Sequence, residues 1–211
     1  MCLCFSLCTY VLKKGLTHRY IGRNIGQIGI KQARVIFIAM TTANLDITQP
    51  LKDLETAVTE IINLMASIDE QQVNTVPYAD SWTAPQLLIH VAKSINGIAR
   101  ALQTPTAPTE RDPGQRIPEL RNIFLDFSRK FQAPDFIVPE DGPFEKQATI
   151  DKLGRSFERF KESAAAANGQ ELVEGFPFGP ATKLELIYFT LYHTERHLQQ
   201  MKKISEALKN K

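Results

Sequence analysis

The sequence predicts an all-α protein: a four-helix bundle with one extra helix on its flank. Two observations carry that prediction. Apolar residues recur at three-four spacing in five separate segments, and no segment alternates with period two for long enough to form a strand. Four long amphipathic stripes bury one another most economically as a bundle, and residues 117–131 are assigned as the flanking helix.

The first stripe is Leu51, Leu54, Val58, Ile61, Met65 and Ile68, with Thr48 expected as cap and Pro50 in the first turn. A polar connection, 71–79, follows. In Trp82-Thr83-Ala84-Pro85-Gln86-Leu87, Thr83 reads as cap, Gln86 as its capping-box partner, and Trp82 and Leu87 as a hydrophobic staple. That second helix should reach about Leu102, with Leu87, Val91, Ile95, Ile98 and Leu102 as its stripe. His90 lies roughly 100° from the stripe's centre, on a flank shared with Ser94, Gly97 and Ala101.

Residues 104–116, with three prolines and a glycine, read as a linker. Ile117, Leu120, Phe124, Phe127 and Phe131 form the third stripe, and Pro134, Pro139 and Pro143 stop it. Ile150, Leu153, Phe157, Phe160 and Ala164 form the fourth, closed by Asn168-Gly169. The last helix should begin near Pro180 and run to about Leu208, along Leu184, Ile187, Leu191, Leu198 and Met201.

At 211 residues and 43% hydrophobic, the chain can bury one substantial core. The net charge of +2 conceals a split. Residues 1–39 hold six of the 25 bases and none of the acids, which leaves 19 bases against 23 acids in the body. A mildly acidic body without clustered bases excludes a nucleic-acid groove and an anionic-membrane surface. All three cysteines, Cys2, Cys4 and Cys8, fall in the same leader. A body without thiols has neither disulfides nor a cysteine nucleophile, and it fits a reducing, cytoplasmic setting.

The leader matches neither a secretory signal nor a membrane span, because its apolar residues precede Lys13 and Lys14 and no uncharged run approaches the ~20 residues a span needs. Met40-Thr-Thr-Ala-Asn reads as the start of the native protein. Residues 1–39 are expected to be poorly ordered, and 40–211 to form one helical domain.

Chemistry concentrates in Tyr192-His193-Thr194-Glu195-Arg196-His197-Leu198-Gln199-Gln200. His193 and His197, one turn apart on one helix face, have a spacing that a single metal ion can bridge. They share that side with Leu186, Phe189, Thr190 and Ile204, so the imidazoles should face a groove rather than open water. Apart from His18 in the leader, the remaining histidine is His90, and spacing leaves it either a third ligand or a half-buried core residue. Three neutral imidazoles would leave a coordination position open. Thr190 and Gln200 are candidates to support the ligands, and metal affinity should fall as pH drops through about 6.5. A zincin motif fails because position 194 is Thr rather than Glu, and a di-iron motif fails because Thr190 and Thr194 stand where it needs Glu.

The tryptophan-led helix start ending in His90, followed some hundred residues later by Tyr192-His193-x-x-x-His197-x-x-Gln200, resembles the DinB/YfiT-like superfamily over about residues 44–208. The resemblance implies a four-helix bundle, often a homodimer, in which a histidine triad holds a divalent metal such as zinc or nickel. By position the ligands are His90, His193 and His197. It also implies a small-molecule substrate and a metal-dependent transferase or hydrolase, in some relatives working with a low-molecular-weight thiol. The competing expectation is a non-catalytic metal-binding or stress-response module.

Overall fold

Five α-helices carry the chain in the computed structural model, which describes residues 46–210. The expectations for residues 1–39 lie outside the described residues. α1 (Thr48–Ala66) opens one turn before its apolar stripe. Thr48 does not cap it: the cap position falls on Ile47, whose side chain has no group to bond the helix, Thr48 already stands inside the first turn, and its amide donates to the Asp46 carboxylate at 2.9 Å. Leu54, Val58, Ile61 and Met65 are buried as the stripe requires.

α2 (Ala84–Gln103) begins as the sequence predicts. The Thr83 hydroxyl accepts from the Gln86 amide, and the Gln86 side-chain oxygen accepts from the Thr83 amide at 3.0 Å. Thr83→Ala should therefore cost about 0.5–2 kcal/mol, read as a lower denaturation midpoint. An unchanged midpoint would mean that the box contributes nothing.

α3 is shorter than expected. It spans Ile117–Phe124, and the chain then leaves the helix, so Phe127 and Phe131 belong to a covering loop instead of a continuous stripe. The reason is tertiary. The Arg196 guanidinium takes the carbonyls of Phe124 (3.2 Å), Asp126 (3.0 Å) and Arg129, satisfying the helix end from outside. It also lies 4.7 Å over the Phe131 ring. The loop ends in a 3-10 turn at Asp135–Ile137.

α4 (Lys146–Ala166) buries Leu153, Phe157, Phe160 and Ala164, and Glu145 caps it with bonds from the amides of Gln147 and Ala148. Two short strands, β1 (Leu172–Val173) and β2 (Ala181–Thr182), pair antiparallel with Leu172 opposite Thr182. They are too short to show as an alternating pattern. The stretch 104–116 is not a free linker, because Leu172 donates to the Ala107 carbonyl and Thr109 to that of Gln170.

α5 (Lys183–Lys209) is buried on both sides, at Leu184, Ile187, Leu198 and Met201 and also at Leu186, Phe189 and Ile204. In the bundle α2 packs on α4 and α5, α1 packs on α5 and α4, and α3 rides on α5. Each fully buried Leu, Ile or Met contributes about 1.5–3 kcal/mol. The flank around Gly97 is open: a Cβ built there would meet nothing within 4 Å.

Candidate metal centre

Two capped helices aim the histidines. The Thr83 box sets the phase of α2, and about two turns later His90 points into the groove facing α5. A second capping box, Thr182 with Glu185, starts α5 about three turns before His193. The three imidazoles, only 3–8% exposed, meet with their ligand atoms all within 4.8 Å of one another. His197 Nε2 is 3.1 Å from His90 Nε2 and 3.1 Å from His193 Nε2.

The outer nitrogens decide what those short distances mean. His90 Nδ1 lies 3.0 Å from the Ile137 carbonyl oxygen, which only accepts, so that nitrogen carries the proton. His197 Nδ1 stands 3.0 Å from Gln200 Oε1 in the same relation. With both protons directed outward, the two Nε2 atoms face each other as lone pairs at 3.1 Å. Neutral imidazoles in that tautomer have no hydrogen bond to share, and their juxtaposition calls for a cation between them. Zinc–nitrogen bonds of about 2.0–2.1 Å place ligand nitrogens about 2.9–3.4 Å apart at octahedral or tetrahedral angles, and two edges of the triad already match.

Burial is the first cause of the lowered basicity of all three rings. It lowers the pKa of His90, against the Ile137 hydrogen bond, and Lys93 lowers it further. His193 falls well below its ordinary range through burial and then through the charges His197, His90 and Arg196 would present. His197 drops to about 3, again by burial first and His90 second, with Gln200 opposing. Protons therefore compete with a metal at the folded site at lower pH than the value near 6.5 that the sequence alone suggests.

These depressed values also make stability depend on pH. The unfolded chain binds protons below about 6.5 that the folded site refuses, so folding is favoured most above that pH and weakens as pH falls towards the folded pKa values. Metal-stripped protein should thus lose stability between pH 7 and 5, by up to about 1.4 kcal/mol per pH unit for each histidine. Denaturant titrations in chelator at several pH values read this directly. A His197→Ala apoprotein should show a shallower slope, and an equal slope would place the effect elsewhere.

Aromatic rings wall the centre. Trp82 lies 4.8 Å from His90, Phe189 5.4 Å and Phe124 6.2 Å from His193. Trp82, which the sequence offers as a staple, thus covers the His90 ring. Thr190 is placed differently from the supporting role considered for it, because its hydroxyl donates to Leu186 O at 2.8 Å. Sequence reasoning missed the Ile137 carbonyl, for which no side-chain pattern exists. It also missed Arg196, which closes α3 and its loop against the site rather than facing solvent.

The fold and the site together define a helical bundle that gathers three imidazoles from two of its helices into a buried, aromatic-walled point where a metal ion could be held. The chain is a member of the DinB superfamily, whose family model matches residues 53–201 and so takes in all three histidines. No curated protein and no solved structure matches the chain. Among the described residues, no helix is long and apolar enough to cross a membrane.

Proposed function

We propose that His90, His193 and His197 hold a divalent metal, zinc or nickel, and that the protein is a metal-dependent transferase joining a small-molecule electrophile to a low-molecular-weight thiol. One observation carries the metal: two Nε2 lone pairs held 3.1 Å apart by Nδ1 protons committed to Ile137 and Gln200. The thiol rests on membership of the superfamily and on a body without cysteine, so that a thiol nucleophile has to arrive from outside it. When bound, the metal supplies a Lewis acid that lowers the pKa of a thiol or water brought to it. The chain's own residues do the rest. Gln200 and the Ile137 carbonyl fix the tautomers, and Trp82, Phe124 and Phe189 keep bulk water from the ligands. In this reading the protein works in the cytoplasm, as a homodimer, without nucleic acid or membrane.

The depth of the triad favours a second reading. With each imidazole at most 8% exposed, the same centre suits a non-catalytic metal-binding module. Metal analysis of protein purified without chelating resin, followed by thiol-transfer assays on metal-loaded and stripped samples, separates the two. One equivalent of metal with transfer that depends on it supports the enzyme. One equivalent without transfer across several thiols supports the module, and no metal at all overturns both.

A further inference from the structure

A cavity of about 280 Å³ lies between the first turn of α1, the last turn of α3 and the middle of α5. It is separate from the triad: α3 presents Arg121 to the cavity, while its Phe124 rests against His193 at 6.2 Å. Its polar lining is Gln49, Asp53, Arg121, Tyr188, Tyr192 and Glu195.

That lining is unusual in what it leaves unpaired. Tyr192 is 7% exposed, and its hydroxyl makes no hydrogen bond among the described residues; unlike Thr194 Oγ1 and Ser205 Oγ, it is not sealed from solvent. Arg121, Tyr188 and Glu195 likewise have no hydrogen-bond or ion-pair partner among those residues, and Asp53 accepts only the Gln49 amide at 2.6 Å. Elsewhere in the same protein Arg111, Arg116 and Arg196 are each satisfied by carboxylate or carbonyl oxygens. Buried and half-buried polar groups normally find partners, so Tyr188, Tyr192 and Glu195, unpartnered around a single cavity with the exposed Arg121 guanidinium at its rim, mark a place shaped for something other than the chain itself.

We propose that this cavity binds a small zwitterion of the α-amino acid class, its carboxylate on Arg121 and its ammonium between Asp53 and Glu195. The tilted rings of Tyr188 and Tyr192, 6.0 Å apart, offer an apolar corner for the side chain, and the Tyr192 hydroxyl supplies a further hydrogen bond. The charge pattern selects the class. An anion alone would meet two carboxylates, and a simple amine would leave the guanidinium without an acceptor. A zwitterion pairs with both signs. The volume of about 280 Å³ admits one amino acid.

Calorimetric titration of the full-length protein with L-phenylalanine and L-leucine tests the proposal, with 2-phenylethylamine and 3-phenylpropanoate as single-charge controls. At least one amino acid should bind, and the single-charge controls should bind about tenfold more weakly or worse. Arg121→Met should weaken amino acid binding about tenfold and leave 2-phenylethylamine unaffected, while Tyr192→Phe weakens it without altering the melting temperature. Arg121 is exposed and Glu195→Gln is isosteric, so both variants should fold. Because amino acids chelate metals, the titration is repeated after EDTA treatment, where binding should persist. Binding lost with the metal, binding that survives both Arg121→Met and Glu195→Gln, or no binding of either amino acid would each overturn the proposal.

Discussion

His90→Ala should strip the protein of most of its metal, although about a hundred residues separate His90 from the other two imidazoles. A four-ligand structural zinc site is worth about 10–16 kcal/mol in zinc-finger peptides, or about 2.5–4 kcal/mol per ligand, so losing one imidazole should lower affinity by about two to three orders of magnitude. His193→Ala and His197→Ala should do the same. Pairing any two should add little, because a site with two nitrogens is already ineffective. His90→Gln, which keeps most of the side-chain volume, guards against a trivial packing effect. Metal stoichiometry and thermal stability measured side by side decide the matter. A fully loaded His90→Ala protein would make His90 a packing residue and end the triad reading, whereas loss of metal with a folded apoprotein is the expected result.

Glu185→Ala should be the most damaging substitution outside the triad, costing about 3–5 kcal/mol. Its side chain is 0% exposed and receives four bonds. Both Arg111 nitrogens approach at 2.6 Å, the Arg116 amide at 2.8 Å and the Thr182 amide at 2.9 Å. Removing the carboxylate orphans two backbone amides, at about 1–3 kcal/mol each. The Arg111 side chain, 27% exposed, recovers part of its loss by hydration. The cap of α5 goes as well. Burial, the largest single influence on this carboxyl, pushes its pKa up, yet Arg111 and the two amides together outweigh it and hold the value below the ordinary range. A folded pKa below the unfolded one means that this stability is present above about pH 4.5 and is lost as pH falls through the folded value. Urea denaturation of wild type, Glu185→Gln and Glu185→Ala should show a graded fall in midpoint at neutral pH. Equal midpoints would show that Arg111 and the amides are satisfied by water.

Glu185 also shows where reading the chain stopped short. Thr182-Lys183-Leu184-Glu185 carries the same capping spacing as Thr83-Ala84-Pro85-Gln86, and the signal was there to be found. Its partner Arg111 was not, because residues 104–116 have a linker's composition and only their pairing beside β1 brings them to α5.

What the sequence by itself determined is local: the helices with buried stripes, the box that starts α2, and the i,i+4 face shared by His193 and His197. Each depends on residues within about four positions of one another, where helical period and capping chemistry act directly. Only the tertiary structure decided that α3 stops at Phe124, because the group that ends it, Arg196, lies seventy-two positions away. Only it decided that a backbone carbonyl at Ile137 sets the tautomer of His90, since every residue has a carbonyl and none advertises its use. The convergence of His90 with the α5 pair belongs to the same kind. Helical phase turns each imidazole towards a groove, but packing α2 against α5 is what brings the nitrogens to 3.1 Å, and no spacing along the chain encodes that distance.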